Sequence, residues 1–259
     1  MRTPTRTLLF LSLASGLAAC KGDDLADKKA VETTTAEGSL ASASADSAEH
    51  RGVSMVRMIN ALPNAKDASV SADERAMFSD VGFKTVTPYA ELKDNVATFR
   101  LKAGDRDTTI ASNNEIMMDG SRYSLIALPE GMGNVRLRVL KDELATDSTK
   151  ARLRVIHGVN GVGEIDVVMA GMTEPFFDNI SLASEAGYKN IGPVKTTVTV
   201  NLNGNGKQLL KREMDFKAGH AYSMVLTGTV GQRIEAIVID DQAISNAKMM
   251  MMESRKKAP

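Results

Sequence analysis

Val56-Arg57-Met58-Ile59-Asn60 and Leu153-Arg154-Val155-Ile156-His157 are one strand written twice, at an offset of 97 residues. Asp67 and Val70 fall on Glu164 and Val167 at the same spacing. Farther along, Phe78-Ser79-Asp80-Val81 matches Phe177-Asp178-Asn179-Ile180 at an offset of 99, and Tyr89 with Tyr188 and Tyr123-Ser124 with Tyr222-Ser223 keep that value. The change of offset places a two-residue insertion after Met169, in a loop. Self-similarity at a fixed period means a structural unit present in two copies. Each unit has about 95 residues, close to the ~100 of an immunoglobulin-like sandwich, and can bury a core of its own.

The copies read as strands. Val135-Arg136-Leu137-Arg138-Val139, Arg152-Leu153-Arg154-Val155 and Thr197-Val198-Thr199-Val200-Asn201-Leu202 alternate apolar with polar. Period two turns one face inward and leaves one wet, the signature of antiparallel strands. Turn residues separate the runs: Lys102-Ala103-Gly104-Asp105, Met118-Asp119-Gly120-Ser121 and Asn203-Gly204-Asn205-Gly206. After Gly52 no amphipathic helix of three turns is evident. The expected fold is all-β: two tandem immunoglobulin-like antiparallel β-sandwiches, residues 53–146 and 150–242, joined by a short polar stretch, Leu144 to Lys150. A join that short restricts the freedom of one domain against the other.

The front of the chain has another character. Arg2 and Arg6 precede an apolar run from Leu8 to Ala18, and Leu17-Ala18-Ala19-Cys20 ends it with small residues before the single cysteine. The run is shorter than the ~20 residues that cross a bilayer, which suits a cleaved export signal, residues 1–19. One cysteine cannot form an intramolecular disulfide. Its place suits lipidation: Cys20 becomes the first mature residue and carries acyl chains that hold the protein on a membrane. Lys21 rather than Asp follows it, which by resemblance to lipoproteins of two-membrane bacteria permits sorting to the outer membrane. Residues 20–52 form a flexible spacer with one Val, two Leu and no aromatic residue, too little apolar surface to offset ordering entropy. Residues 243–259 form a C-terminal tail.

Composition narrows the function. The formal net charge of zero removes the basic footprint of a nucleic-acid binder. Aromatics at 4 %, with no Trp, leave little for stacking bases or sugars. His157-Gly158-Val159-Asn160-Gly161-Val162-Gly163 is glycine-rich after a strand, but a phosphate cradle needs a following helix, and Ile165 to Met169 reads as strand. His50, His157 and His220 show no metal-ligand spacing, although a distant convergence of His157 with His220 stays open. There is no Gly-x-Ser-x-Gly elbow. Asp240-Asp241 ends the last strand and Asp142 is its repeat counterpart; two acids fall short of the six or more oxygens calcium takes, so a solvated strand end is expected. Arg57 and Arg154 are read as outward arginines, each paired with a carboxylate on the next strand. Met249 to Met252 offers soft thioethers for Cu(I) against the plainer reading of a frayed or packed tail. Phe78, Phe177, Tyr123 and Tyr222 are expected as core anchors, the tyrosine hydroxyls bonded to backbone.

Val56-Arg57-Met58-Ile59-Asn60-Ala61 followed by Leu62-Pro63-Asn64-Ala65 resembles the opening of a bacterial domain family of unknown function, number 4397 in its series. Lys217-Ala218-Gly219-His220-Ala221-Tyr222 resembles the turn and strand near that family's end. The resemblance covers roughly residues 53 to 242, in two copies. The family typically has a His at the first strand's end, matched by His157 and replaced by Asn60, and a Pro-bearing loop next, kept at Pro63 and lost at Val159-Asn160-Gly161. It implies an exported β-sandwich repeat and lends no established chemistry. The expected protein is therefore a lipid-anchored, extracytoplasmic lipoprotein, a non-catalytic binding or structural module of the bacterial cell envelope, without cofactor. Its partners are the membrane and an envelope polysaccharide or protein, and it is placed on the outer membrane facing the periplasm or cell surface. The alternative is an extracytoplasmic hydrolase or metal-handling protein with dispersed residues; histidines clustering with carboxylates in a deep pocket would favour it.

Overall fold

The computed structural model describes residues 52–104 and 108–242. Residues 1–51, with Cys20 and His50, and residues 243–259, with Met249 to Met252, lie outside them, and so do the expectations placed on them. Sixteen strands fill the described part. In the first repeat they are β1 (Ser54–Asn60), β2 (Asp67–Ala72), β3 (Arg75–Gly82), β4 (Ala90–Leu92), β5 (Val96–Ala103), β6 (Ala111–Ile116), β7 (Arg122–Gly131) and β8 (Asn134–Lys141). In the second they are β9 (Ala151–Asn160), β10 (Glu164–Met169), β11 (Phe177–Ser181), β12 (Glu185–Ile191), β13 (Val194–Leu202), β14 (Gln208–Phe216), β15 (Ala221–Thr229) and β16 (Ile234–Asp240).

The topology repeats strand for strand. Each repeat has one sheet in the order β4-β1-β7-β8 or β12-β9-β15-β16, and a second in the order β3-β2-β5-β6 or β11-β10-β13-β14. The all-β tandem sandwich is as expected. Within it, the central pair of one sheet in each repeat, β1 with β7 and β9 with β15, runs parallel. Local geometry repeats too. Asp80 and Asn179 both take positive φ, 52° and 53°, and each backbone N–H is held by a side chain on the neighbouring strand, Ser69 Oγ at 3.1 Å and Asp166 Oδ1 at 2.9 Å. Tyr123 and Tyr222 lie in the cores, and their hydroxyls accept the N–H groups of Met118 and Lys217, five residues upstream, at 3.0 and 3.2 Å. The predicted insertion falls in the loop 170–176, where repeat 1 turns tightly through Asp73 and Glu74.

Each sandwich closes around its own apolar interior: Val70, Phe99, Leu101 and Leu125 in the first, Val167, Phe177, Val200 and Phe216 in the second. A third apolar layer joins them. Ile59, Ile126, Leu128 and Leu140 of repeat 1 pack against Ile156, Val225, Ile237 and Ile239 of repeat 2. The sheets carrying β1 and β9 are thus buried on both faces. That explains why Leu125 to Leu128 and Met224 to Leu226 are unbroken apolar runs instead of alternating ones. At the join, Gly158 lies so close to repeat 1 that a Cβ there would stand 2.7 Å from Leu128 Cδ2 and 2.7 Å from the Leu226 carbonyl oxygen. The buried Thr227 hydroxyl donates to the Ala61 carbonyl across the seam at 2.7 Å.

Candidate functional site

The strand arginines do not face water. Arg57 and Arg154 are both buried, as are Asp142 and Asp241, so the expectation of solvated acids at the strand ends is corrected. The alternation turns both arginines away from the core of their own repeat; what covers that second face is the other repeat. Within each repeat the arginine Nε donates to a serine, Arg57 to Ser124 Oγ at 2.8 Å and Arg154 to Ser223 Oγ at 2.7 Å. The distal nitrogen then crosses the seam: Arg57 Nη2 binds Asp241, and Arg154 Nη2 binds Asp142. Each aspartate also accepts hydrogen bonds from its own repeat, Asp142 from Ser124 (2.8 Å) and Tyr89 (2.6 Å), Asp241 from Ser223 (2.7 Å) and Tyr188 (2.9 Å). The arginine planes lie 4.9 and 4.8 Å from the centroids of the Tyr89 and Tyr188 rings.

This seam is isologous: residue i meets j of the other copy, and j meets i. Two cations and two anions neutralise each other away from water, the pairing that buried charges require, while Arg57 Nη1 is buried without a hydrogen-bond partner among the described residues. Burial alone would push the Asp142 carboxyl up, but Arg57 and Arg154 outweigh it and hold Asp142 below the usual carboxylate range. Burial pushes both the Tyr89 and Tyr188 phenols up, so they stay protonated donors.

Toward the other end of β1 and β9 the two repeats diverge. Asn60 and His157 perform one job with different side chains. Asn60 Oδ1 accepts the Leu62 N–H at 3.1 Å, and its amide donates to the Val81 carbonyl at 2.8 Å. His157 Nδ1 accepts the Val159 N–H at 3.1 Å, and Nε2 bonds the Gly163 carbonyl at 3.2 Å. These bonds set the tautomer, with the proton on Nε2. Burial lowers the His157 pKa to about 4, only partly opposed by the Gly163 carbonyl, so the ring is neutral. After these residues the paths part. In repeat 2 the strand runs on, with Asn160 paired to Thr229. In repeat 1 β1 stops at Asn60, and the chain turns away through Leu62-Pro63-Asn64-Ala65.

The divergence opens a cleft of about 750 Å³. Its walls are the 62–65 loop, the ends of β5 and β7, and the start of β8; Asn160 and Thr229 complete it from repeat 2. The polar groups at its surface are mainly amides and a hydroxyl (Asn64, Asn134, Asn160, Thr229), set among Leu62, Pro63, Ile110, Pro129 and Val135. Glu130, the one ionisable residue among the described lining residues, is paired with Arg136. At the rim, Met132 tops the β7–β8 hairpin, fully exposed, between two glycines of positive φ.

Among the described residues, His157 and His220 do not converge on carboxylates in a pocket. His157 bonds backbone alone, and half-buried His220 bonds Asp240 through Nδ1 at 2.8 Å. Among the described residues, no group of three or more His, Cys, Asp or Glu side chains could hold a metal ion. The glycine-rich run 157–163 is the end of β9 and its turn into β10, a strand, as expected.

Among solved structures, the chain is similar to the C-terminal domain of AlgF from P. aeruginosa, at 18 % identity and a TM-score of 0.28, covering 36 % of this chain and 98 % of that one. It is also similar to a family CBM26 module of Amy13K from Eubacterium rectale, solved with maltoheptaose, at 13 % identity and a TM-score of 0.24, covering 73 % of this chain and 96 % of that one. At such scores no function is read from either. No curated protein matches the chain. The family described as "Domain of unknown function (DUF4397)" matches over residues 54–168 and again over 151–250. With that match over most of its length, and with two sandwiches of identical topology, the chain belongs to this family and carries its domain twice.

Proposed function

We propose that this chain is a lipid-anchored, extracytoplasmic lipoprotein of the bacterial cell envelope, and that it works as a non-catalytic binding module. Cys20, behind an apolar run and two small residues, supports the anchor. The cleft carries the binding reading. It lies where loops of a sandwich end meet a wall supplied by the second repeat, the kind of place where a rigid scaffold presents recognition loops. Its amides and hydroxyl suit recognition; Glu130, the one carboxylate among the described lining residues, is engaged by Arg136. The ligand is an envelope component, polysaccharide or protein, and the outer membrane is the site of attachment.

Two experiments test this. Cys20→Ser is expected to move the protein from the membrane fraction to a soluble or unprocessed form; unchanged partitioning counts against the anchor. The full chain, solubilised in detergent, is expected to capture envelope material that the Asn134→Ala, Asn160→Ala double variant does not. Equal capture by both removes the cleft from the function.

A further inference from the structure

The two repeats are related by an isologous seam, and at the cleft that relation is broken. β9 continues to Asn160 in register with Thr229, whereas β1 ends at Asn60 and the chain leaves the strand through the 62–65 loop. The three-residue overrun of β9 is what supplies the far wall, so a feature of repeat 2 completes an opening in repeat 1. We infer that repeat 1 is the recognising copy, and that its cleft takes an uncharged, hydroxyl-rich ligand: a segment of a neutral oligosaccharide. This deepens, and rests on, the reading of the cleft as the binding site.

The chemistry of the lining selects that class. An amide side chain both donates and accepts, and so does a hydroxyl, which matches sugar hydroxyls that do the same. Asn134 and Asn160 face the opening from different repeats, so a ligand spanning it is held at both sides. Between them, Pro63, Pro129 and Val135 offer aliphatic surface to the C–H faces of a pyranose ring. An anionic polymer needs cations, and among the described lining residues there is none; Arg136 lies outside the lining, paired with Glu130. A cationic ligand would have to displace Arg136 from that carboxylate. A drug-like apolar ligand would leave the amides without partners, a cost of desolvation without return. Pro63 stiffens the 62–65 loop, and Pro129 sits within β7 where the strand already fixes the backbone, which limits the ordering cost of binding.

The test uses the full chain in detergent against an array of neutral gluco-, manno-, galacto- and N-acetylhexosamine oligosaccharides, with uronate-bearing and sulfated oligosaccharides and extended peptides as further arms. The expected result is retention of at least one neutral oligosaccharide at about 1 mM or below. Affinity should fall at least about tenfold in Asn134→Ala, Asn160→Ala, and should barely change between low and high salt. Retention of only acidic oligosaccharides with a steep salt dependence, of only peptides, or of nothing overturns the inference. So does neutral-glycan binding that survives the double variant. If that variant loses capture of envelope material while no neutral oligosaccharide competes, the cleft remains the binding site and only the ligand class fails. If capture is unaffected by the variant, the binding reading fails with it. Circular dichroism of the variant confirms that the fold is kept.

Discussion

Asp241 is held by an arginine of the other copy, so a single replacement has effects on both. Asp241→Ala leaves Arg57 charged, buried and short of its nearest carboxylate, with Asp142 at 3.5 Å as the remaining one. Breaking a buried pair in this way is expected to cost about 3–5 kcal/mol in urea denaturation, whereas Arg57→Met combined with Asp241→Leu should recover most of that loss. A single variant within about 0.5 kcal/mol of wild type would show that the pair is not buried as described. His157 gives a second residue-level expectation. Its folded pKa, about 4, lies below the ordinary 6.5, because burial disfavours the charged ring. Between those values the unfolded chain binds a proton that the folded chain does not, so stability rises with pH across that window and falls on acidification. The loss by pH 4 amounts to about 3 kcal/mol. His157→Asn, which borrows the solution repeat 1 uses at Asn60, should flatten this part of the profile measured by denaturation at successive pH values. An unchanged slope assigns the acid sensitivity elsewhere.

At the scale of elements, β9 carries the tightest constraint. Gly158 sits where backbone and the Leu128 methyl leave no room for a Cβ. Gly158→Ala is therefore expected to destabilise by about 1–3 kcal/mol through overpacking, read as a lowered melting temperature. Phe177, at 1 % exposure in the second core, should cost about 3–5 kcal/mol on replacement by Ala; a negligible shift would take it out of that core. These elements also show what the chain discloses in one dimension. Strands such as β8 and β13 announced themselves by alternation, their turns by glycine, and the copies by their offset. The arginine strands misled, because Arg152-Leu153-Arg154-Val155 has the period of a half-wet strand. Period two reports which residues share a face and says nothing of what covers it. The usable signal lay elsewhere, in β7 and β15, whose unbroken apolar runs have no wet face and so demand a partner on each side. Seen with them, Arg57, Arg154, Asp142 and Asp241 form a set of equal and opposite charges at repeated positions. The cleft had no such trace, since it arises from how far β9 runs past the end of β1 in space.

For the whole molecule, the shared third layer makes the two copies one thermodynamic body. Neither can unfold without exposing Ile59, Ile126, Ile156 and Val225 and stranding charges of the other. Calorimetry on the full chain should accordingly show one cooperative transition for the two copies, with calorimetric and van't Hoff enthalpies in agreement. Two resolved transitions would mean that the seam contributes little.

The crossing of the ion pairs has a historical consequence as well. Once two copies have exchanged partners in this way, deletion of either takes away the survivor's closest counterparts; in repeat 1 only the longer approach of Arg57 to Asp142, 3.5 Å, would remain. Duplication is then easier than its reversal. Lineages that keep the crossed pairs are expected to keep both copies, and single-copy descendants should show apolar or polar uncharged residues at the positions of Arg57 and Asp142.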